Sequence, residues 1–236
     1  VGWLTPAEWT VIALSLKVSV VAVLVTMPVA YALAWVIARR RFPGRMLLDA
    51  AIHLPLVLPP VVTGWLLLLL LGRGGVIGAW LYDRFGITFV FEWTGAAIAA
   101  GVMALPLMVR AMRLSIEAVD RRLVEAARTL GASPWRAFAT VTLPLSVPGV
   151  AAGAMLGFAR SLGEFGATIT FASNIAGQTR TLPLAIYTGL QVPGSEAAVA
   201  RLAVMAIVLS LGALLASEWL VRRSVHRSSQ GRAHVL

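Results

Sequence analysis

EAARTLGASPWRAFATVTLP, residues Glu125 to Pro144, lies in the most charged part of a chain of 236 residues that is 59% hydrophobic and only 13% charged. Leu123, Ala126, Ala127 and Leu130 fall at i, i+3, i+4 and i+7, so they share one face of a helix from which Arg121, Arg122, Glu125 and Arg128 are largely absent. Gly131 is placed to end that helix as a left-handed C-cap. Ser133 and Pro134 then supply an N-cap and a first helical residue for a second short helix carrying Trp135 and Phe138. The pattern predicts a helix-turn-helix elbow. By itself it fits two situations: a surface that docks a partner, or an amphipathic connection lying on a bilayer.

The sequence on either side is apolar in runs of about 20 residues, long enough to cross a hydrocarbon core of ~30 Å. Thr5, Pro6 and Glu8 form a capping-box pattern that starts a first span running to about Ala38. Further spans are expected over Met46–Leu71, Thr94–Met112, Val147–Phe171 and Ala197–Val221. GVIGAWLYDRFGITFVFEW (75–93) is too polar to span and rich in interfacial aromatics, which predicts a loop on the membrane surface. TLPLAIYTGL (181–190) reads as a re-entrant or interfacial piece. The expected fold is an all-α integral membrane bundle of five transmembrane helices. It forms a single domain over 1–221, with the elbow in a connection of about 114–146 and a basic tail at 222–236.

Basic residues set the expected orientation. Arg39, Arg40, Arg41, Arg45, Arg110, Arg113, Arg121, Arg122, Arg128, Arg136, Arg222, Arg223, Arg227 and Arg232 fall on one side of such a bundle. Arg73, Arg84, Arg180 and Arg201 fall on the other, while Lys17 and Arg160 lie within spans. This predicts an outside amino terminus, an inside carboxyl terminus and a cytoplasmic elbow. The net charge of +10 follows from topology and attraction to anionic lipids, without a nucleic-acid partner. The acidic amino flank and basic carboxyl flank of the first span reverse the pattern of a cleavable signal peptide, so that span is expected to be retained.

Several functions are disfavoured. There is no cysteine, and of the three histidines, His53, His226 and His234, two sit in the tail, which argues against a metal site or a histidine acid/base centre. Lys17 is the only lysine and lacks a glycine-rich phosphate loop, so the chain is not itself a P-loop ATPase. No catalytic residue and no bound cofactor is expected.

Glu125-Ala126-Ala127, three residues, Gly131, nine residues and Val141-Thr142-Leu143-Pro144 resemble the EAA signature of ABC-importer membrane subunits, with Val141 where isoleucine is usual. The resemblance implies that the loop docks into a cleft on a separate ATPase, with Glu125 at the contact, Ala126 and Ala127 permitting close approach, Gly131 making the elbow and Trp135 beside it. HLPLVLPPVV (53–62), LYDRFGITF (81–89), ALPLMVRAMRLSIEAVD (104–120), FARSLGEFGATITFASNI (158–175) and TRTLPLAIYT (179–188) resemble the molybdate permease subunits among them. SLGEFGA (161–167) also resembles a block of sulfate and thiosulfate permeases, which makes a sulfate or thiosulfate ABC permease the alternative function. Val1 stands where methionine is expected, suggesting trimming or an alternative start codon. The implied function is import of molybdate, with tungstate as an alternative, across a cell inner membrane. The implied partners are a second copy of the chain, a cytoplasmic ABC ATPase dimer carrying ATP and Mg, and an external molybdate-binding protein.

Within the spans, Gly149, Gly153 and Gly157 mark a face for close helix packing. Pro55, Pro59 and Pro60 mark a kink next to a cavity, a candidate hinge. Asp49 and His53, at i and i+4, fit a hydrogen-bonded pair better than a proton relay. Arg160 and Glu164, one turn apart near the middle of a span, fit either an ion pair locking helices or, with Ser161, an oxyanion pathway. An ion-coupled transporter would leave the elbow without a role and predicts inverted repeats, which are not apparent. An intramembrane enzyme would need a base beside Ser161, and that span has no histidine or lysine.

Overall fold

The computed structural model describes residues 3–233, with side chains to residue 216. Val1 and the side chains of the tail, including Arg222, Arg223, Arg227 and Arg232, lie outside the described residues. The first helix, α1 (Pro6–Arg39), starts as its capping box predicts: the Thr5 N–H donates to Glu8 Oε2 at 2.6 Å, and the Glu8 N–H donates to Thr5 Oγ1 at 3.3 Å.

α1 lies parallel to α5 (Trp93–Glu117). At one end the Lys17 ammonium sits 3.6 Å from the centre of the Trp93 ring. At the other the Arg39 guanidinium donates to the carbonyls of Ile116 and Val119, at 2.9 and 3.0 Å, tying the end of α1 to the end of α5. Between these ends Ala22, Ala30 and Ala34 are buried on α1, and Gly101 on α5 lies so close that an added Cβ would stand 2.5 Å from Thr26 Oγ1. Lipid tails are as apolar as leucine, so burial alone gives little net attraction between spans, and close approach through small residues has to supply it.

α8 (Leu143–Leu162) runs antiparallel to α5 on the same logic. A Cβ at Gly149 would come within 2.1 Å of Ser115 Cβ, at Gly153 within 3.1 Å of the Met108 carbonyl oxygen, and at Gly157 within 2.7 Å of Met108 Sδ. The glycine stripe is therefore the α5–α8 interface. The last helix, α11 (Glu196–Ala233), returns parallel to α1, with the Arg201 guanidinium donating to Glu8 Oε1 at 2.8 and 3.0 Å.

Two expected spans are broken. Met46–Leu71 forms α2 (Arg45–Val57) and α3 (Pro60–Leu71), bent by 117°. Pro55 remains inside α2, but Pro59 caps α3 and Pro60 opens it, and two consecutive prolines remove two N–H donors and push Leu58 to an extended conformation. The expected kink is a full break. Val147–Phe171 likewise divides into α8 and the short α9 (Gly166–Phe171), interrupted at Gly163–Phe165. The two breaks meet: an added Cβ on Gly166 would lie 2.8 Å from Pro60 Cβ, and one on Gly64 would lie 2.6 Å from the Ala167 carbonyl oxygen.

The pair α2–α3 starts near the Arg39 end of α5, where Arg113 reaches Asp49 at 3.2 Å, and finishes near its Trp93 end, where Leu67 and Leu71 pack with Phe89 and Phe171. Among the described residues four single helices are long and apolar enough to span a membrane, or five where this bent pair is counted as one span. The expected surface loop at 75–93 contains a helix, α4 (Val76–Phe85), closed by Gly86 at φ +66°. The piece at 181–190 is helix α10 (Leu182–Leu190), whose first N–H donates to Ser15 Oγ at 2.7 Å.

Candidate coupling elbow and translocation site

The elbow is built by local caps. Asp120 accepts from the Arg122 N–H at 2.9 Å and opens α6 (Arg121–Thr129). Gly131, at φ +89°, closes it, with the Gly131 N–H donating to the Arg128 carbonyl at 3.0 Å and the Ala132 N–H to the Ala127 carbonyl at 3.0 Å. Ser133 then accepts from the Arg136 N–H at 3.2 Å, and Pro134 opens α7 (Pro134–Ala137). Glu125, Ala126, Gly131 and Trp135 are exposed and Ala127 is half-buried toward the bundle. Leu130 and Trp135 are 89% and 80% exposed, an apolar load that a free surface would not favour.

The second arm of the elbow does not stop before the membrane. α7 continues through one widened turn, Phe138–Thr142, into α8, so that Pro134–Leu162 is one rod of 29 residues. In the widened turn the Leu143 N–H donates to the Phe138 carbonyl, five residues back, which accommodates Pro144 just beyond. Phe138 fixes the rod to α1: its ring packs edge-on against Tyr31 and Trp35, with centroids 6.1 and 6.0 Å away, and Tyr31 Oη lies 2.7 Å from Ser146 Oγ. A cavity of about 330 Å³ opens between this contact and α6, lined by Trp35, Arg39, Glu125, Arg128 and Phe138 among others.

At the far end of the rod lie Arg160, Ser161 and Glu164. Arg160 reaches Glu164 Oε2 at 2.6 Å, and the other carboxylate oxygen accepts the Ala167 N–H at 2.9 Å, capping α9. The Glu164 side chain is only 2% exposed, while that of Arg160 is 26% exposed. The charge expected to need compensation is thus compensated by an ion pair and a helix terminus. Ser161 is buried and turned toward α5, its hydroxyl 3.5 Å from the Ala100 carbonyl. The structure brings Arg160 and Glu164 next to the meeting of the two breaks and directs Ser161 away from them.

Asp49 and His53 form the expected pair, with His53 Nδ1 2.8 Å from the Asp49 carbonyl and 3.7 Å from its Oδ1, the oxygen that Arg113 also reaches at 3.2 Å. Three further features escaped sequence reasoning: the Glu8–Arg201 pair, the Arg39 cap on α5 and the buried hydroxyl of Thr63, which has no hydrogen-bond partner. Glu8 and Arg201, each a lone charge at the edge of an apolar run, were the available signal for the first.

Parallel and antiparallel apolar helices, two interrupted spans meeting at a buried ion pair and an exposed capped elbow define a helical integral membrane protein of the transporter type. Residues 8–226 match the family described as "Binding-protein-dependent transport system inner membrane component", and the chain belongs to that family. It is 58% identical over 227 residues to "Molybdenum transport system permease protein ModB" of Escherichia coli (strain K12), covering 96% of this chain and 99% of that one. The protein of the same name in Haemophilus influenzae is 57% identical over 95% of this chain and 98% of its own. "Sulfate transport system permease protein CysT" of E. coli is 43% identical over 67% of this chain and 57% of its own. Among solved structures, a bacterial ABC transporter involved in the import of the acidic polysaccharide alginate aligns with a TM-score of 0.73 at 21% identity, over 93% of this chain and 80% of that one. An amino acid ABC transporter aligns at 0.62 and 20% identity, over 92% and 94%. These likenesses support the fold.

Proposed function

We propose that this chain is the membrane-spanning subunit of an ATP-driven importer that carries molybdate, with tungstate as an alternative, into the cytoplasm. It works as a homodimer around a two-fold axis, with an ABC ATPase dimer on the elbow and an external binding protein on the opposite face. The substrate follows from 58% identity to a molybdenum permease across nearly the whole of both chains, against the partial coverage of the sulfate permease. ATP hydrolysis belongs to the separate subunit, since this chain has no phosphate loop.

The observation that carries the mechanism is the rod. Pro134–Leu162 joins an exposed elbow to the Arg160–Glu164 break over about 40 Å at ~1.5 Å per residue. A displacement imposed at Trp135 is delivered to the break without an intervening loop. The rod's anchor on Tyr31 and Trp35 makes α1 the fulcrum. At the break, half-helices α3 and α9 offer backbone that rearranges at low cost, with Pro55, Pro59 and Pro60 as the hinge on one side. Arg160 attracts a dianion, and Glu164 keeps that attraction too weak to trap it.

Five crossings give the topology. Because α1 and α5 are parallel, the chain between them has to return once, and α2–α3 makes that return as a broken span. The arginine distribution supports an amino terminus outside and an elbow in the cytoplasm. Expressed in cells lacking their own molybdate permease subunit, together with the matching ATPase and binding protein, the chain should restore molybdate uptake and co-purify with the ATPase. An assembled complex that takes up sulfate but no molybdate would overturn the substrate assignment.

A further inference from the structure

We infer that the Arg39 end of the bundle holds a binding site for the phosphate headgroup of an anionic phospholipid. Arg39 and Arg40 at the end of α1, Arg41 after it, Arg45 at the start of α2 and Arg121 at the start of α6 line one polar cavity of about 300 Å³. The end of α1, the link after it, α2 and α6 therefore bring five arginines to the lining of a single small space. The one carboxylate in the lining, Glu117, is already engaged by Arg113 Nε at 2.9 Å. Arg39 spends donors on the carbonyls of Ile116 and Val119, and Arg40 lies 5.5 Å from the Trp35 ring. Among the described residues none of Arg40, Arg41, Arg45 and Arg121 has an ion-pair partner.

Five like charges around one cavity repel one another, and an anion placed among them removes that cost while accepting several charge-assisted hydrogen bonds. Phosphate suits the guanidinium fork better than a halide does. The surroundings select a lipid over a soluble ion. The cavity sits where the buried apolar stretches of α1 and α5 end, at Ile37 and Ile116, which is the depth of a headgroup. Beside the arginines, Phe42, Met46 and Leu47 are exposed, Met46 at 81% and Leu47 at 71%. A soluble anion would meet only the arginines, whereas a phospholipid sets its phosphate among them and its acyl chains along that apolar flank.

The test uses the full-length chain purified in neutral detergent with any subunit that accompanies it, and the double variant Arg41→Gln/Arg45→Gln. These two residues were chosen because Arg39 holds the end of α5 and Arg121 belongs to the elbow. Added phosphatidylglycerol should raise the unfolding temperature of the unaltered protein by roughly 2–4 °C, while phosphatidylcholine and sodium phosphate leave it in place. The double variant should lose that shift. Native mass spectrometry of the unaltered protein should show phosphatidylglycerol retained in preference to phosphatidylcholine, a readout independent of whether the variant folds. An equal shift with phosphatidylcholine, or no preference in retained lipid, overturns the site. An equal shift with sodium phosphate makes it a soluble-anion site. A variant that keeps its phosphatidylglycerol shift but sheds an accompanying subunit makes it a protein contact, and either result also overturns the proposal.

Discussion

The elbow at Gly131 and the break at Gly163 both turn the chain between two helices, but they are stabilised in opposite ways. At the elbow each cap is closed within a few residues by Asp120, Gly131 or Ser133, and the resulting surface, with Leu130 and Trp135 outermost, is open. At the break the closing contacts are also near in sequence, but they are buried and lie against a distant segment. Glu164 binds Arg160 and the Ala167 N–H, and Gly166 rests on Pro60, more than a hundred residues earlier in the chain. A turn whose contacts are all local can be altered without disturbing the bundle. A turn buried against a distant segment cannot, and a change there alters stability and function together.

That contrast is tested most severely at Arg160. Arg160→Gln strands the Glu164 carboxylate, which should cost about 3–5 kcal/mol and sharply reduce the amount of protein in the membrane. Adding Glu164→Gln should restore abundance. Molybdate uptake by the double variant then separates the two roles: uptake stays low if Arg160 draws the anion, whereas a stable double variant with normal uptake would remove Arg160 from the pathway.

Gly149→Ala comes next, since its methyl group would meet Ser115 Cβ and the backbone oxygen of Ala111 within the α5–α8 interface. Overpacking of this kind costs about 1–3 kcal/mol and should appear as a lower unfolding temperature in detergent. Unchanged stability would mean that α5 and α8 separate easily, contrary to the close packing described.

Glu125→Lys should scarcely affect stability, because Glu125 is exposed, whereas Gly131→Pro should break the elbow turn, since proline can neither adopt φ +89° nor supply the N–H that the Arg128 carbonyl accepts, while leaving the spans in the membrane. Both should nonetheless release the ATPase or uncouple its hydrolysis from transport. Normal uptake by both at normal abundance would show that the elbow is not the docking surface. The gentlest change is Ala132→Cys, expected to alter neither stability nor uptake in a chain without cysteine. Its reaction with an impermeant thiol reagent should occur only after the membrane is opened, and labelling of intact cells would reverse the proposed topology.

The same division explains what could be read in advance. The Thr5–Glu8 box, the Gly131 cap and the Ser133–Pro134 start depend on residues a few positions apart, and each appears where it was expected. The glycine stripe of α8 was legible because periodicity alone defines a face. Breaks were not, because an apolar run looks alike whether continuous or interrupted. Pro59 and Pro60 gave the place but not the 117° bend, which depends on α9 packing against α3. Gly163 gave less still, since glycine within a span is common and only the capping of α9 by Glu164 shows that the helix ends there. In the candidate site, Arg160 and Glu164 were identifiable by the cost of charge at that depth, whereas the orientation of Ser161 toward α5 is set by how α8 rotates against it.

The two oxygens of Glu8 hold groups that arise at different times. Oε2 takes the Thr5 N–H as soon as the first turn of α1 forms, but Oε1 waits for Arg201, which lies 193 residues later in the order of synthesis. Without Arg201, a carboxylate that is 6% exposed keeps a hydrogen bond from the Thr5 N–H but has no opposite charge beside it. The seating of the start of α1 is therefore tied to the placement of α11, and a displacement of either helix reopens the charge of the other.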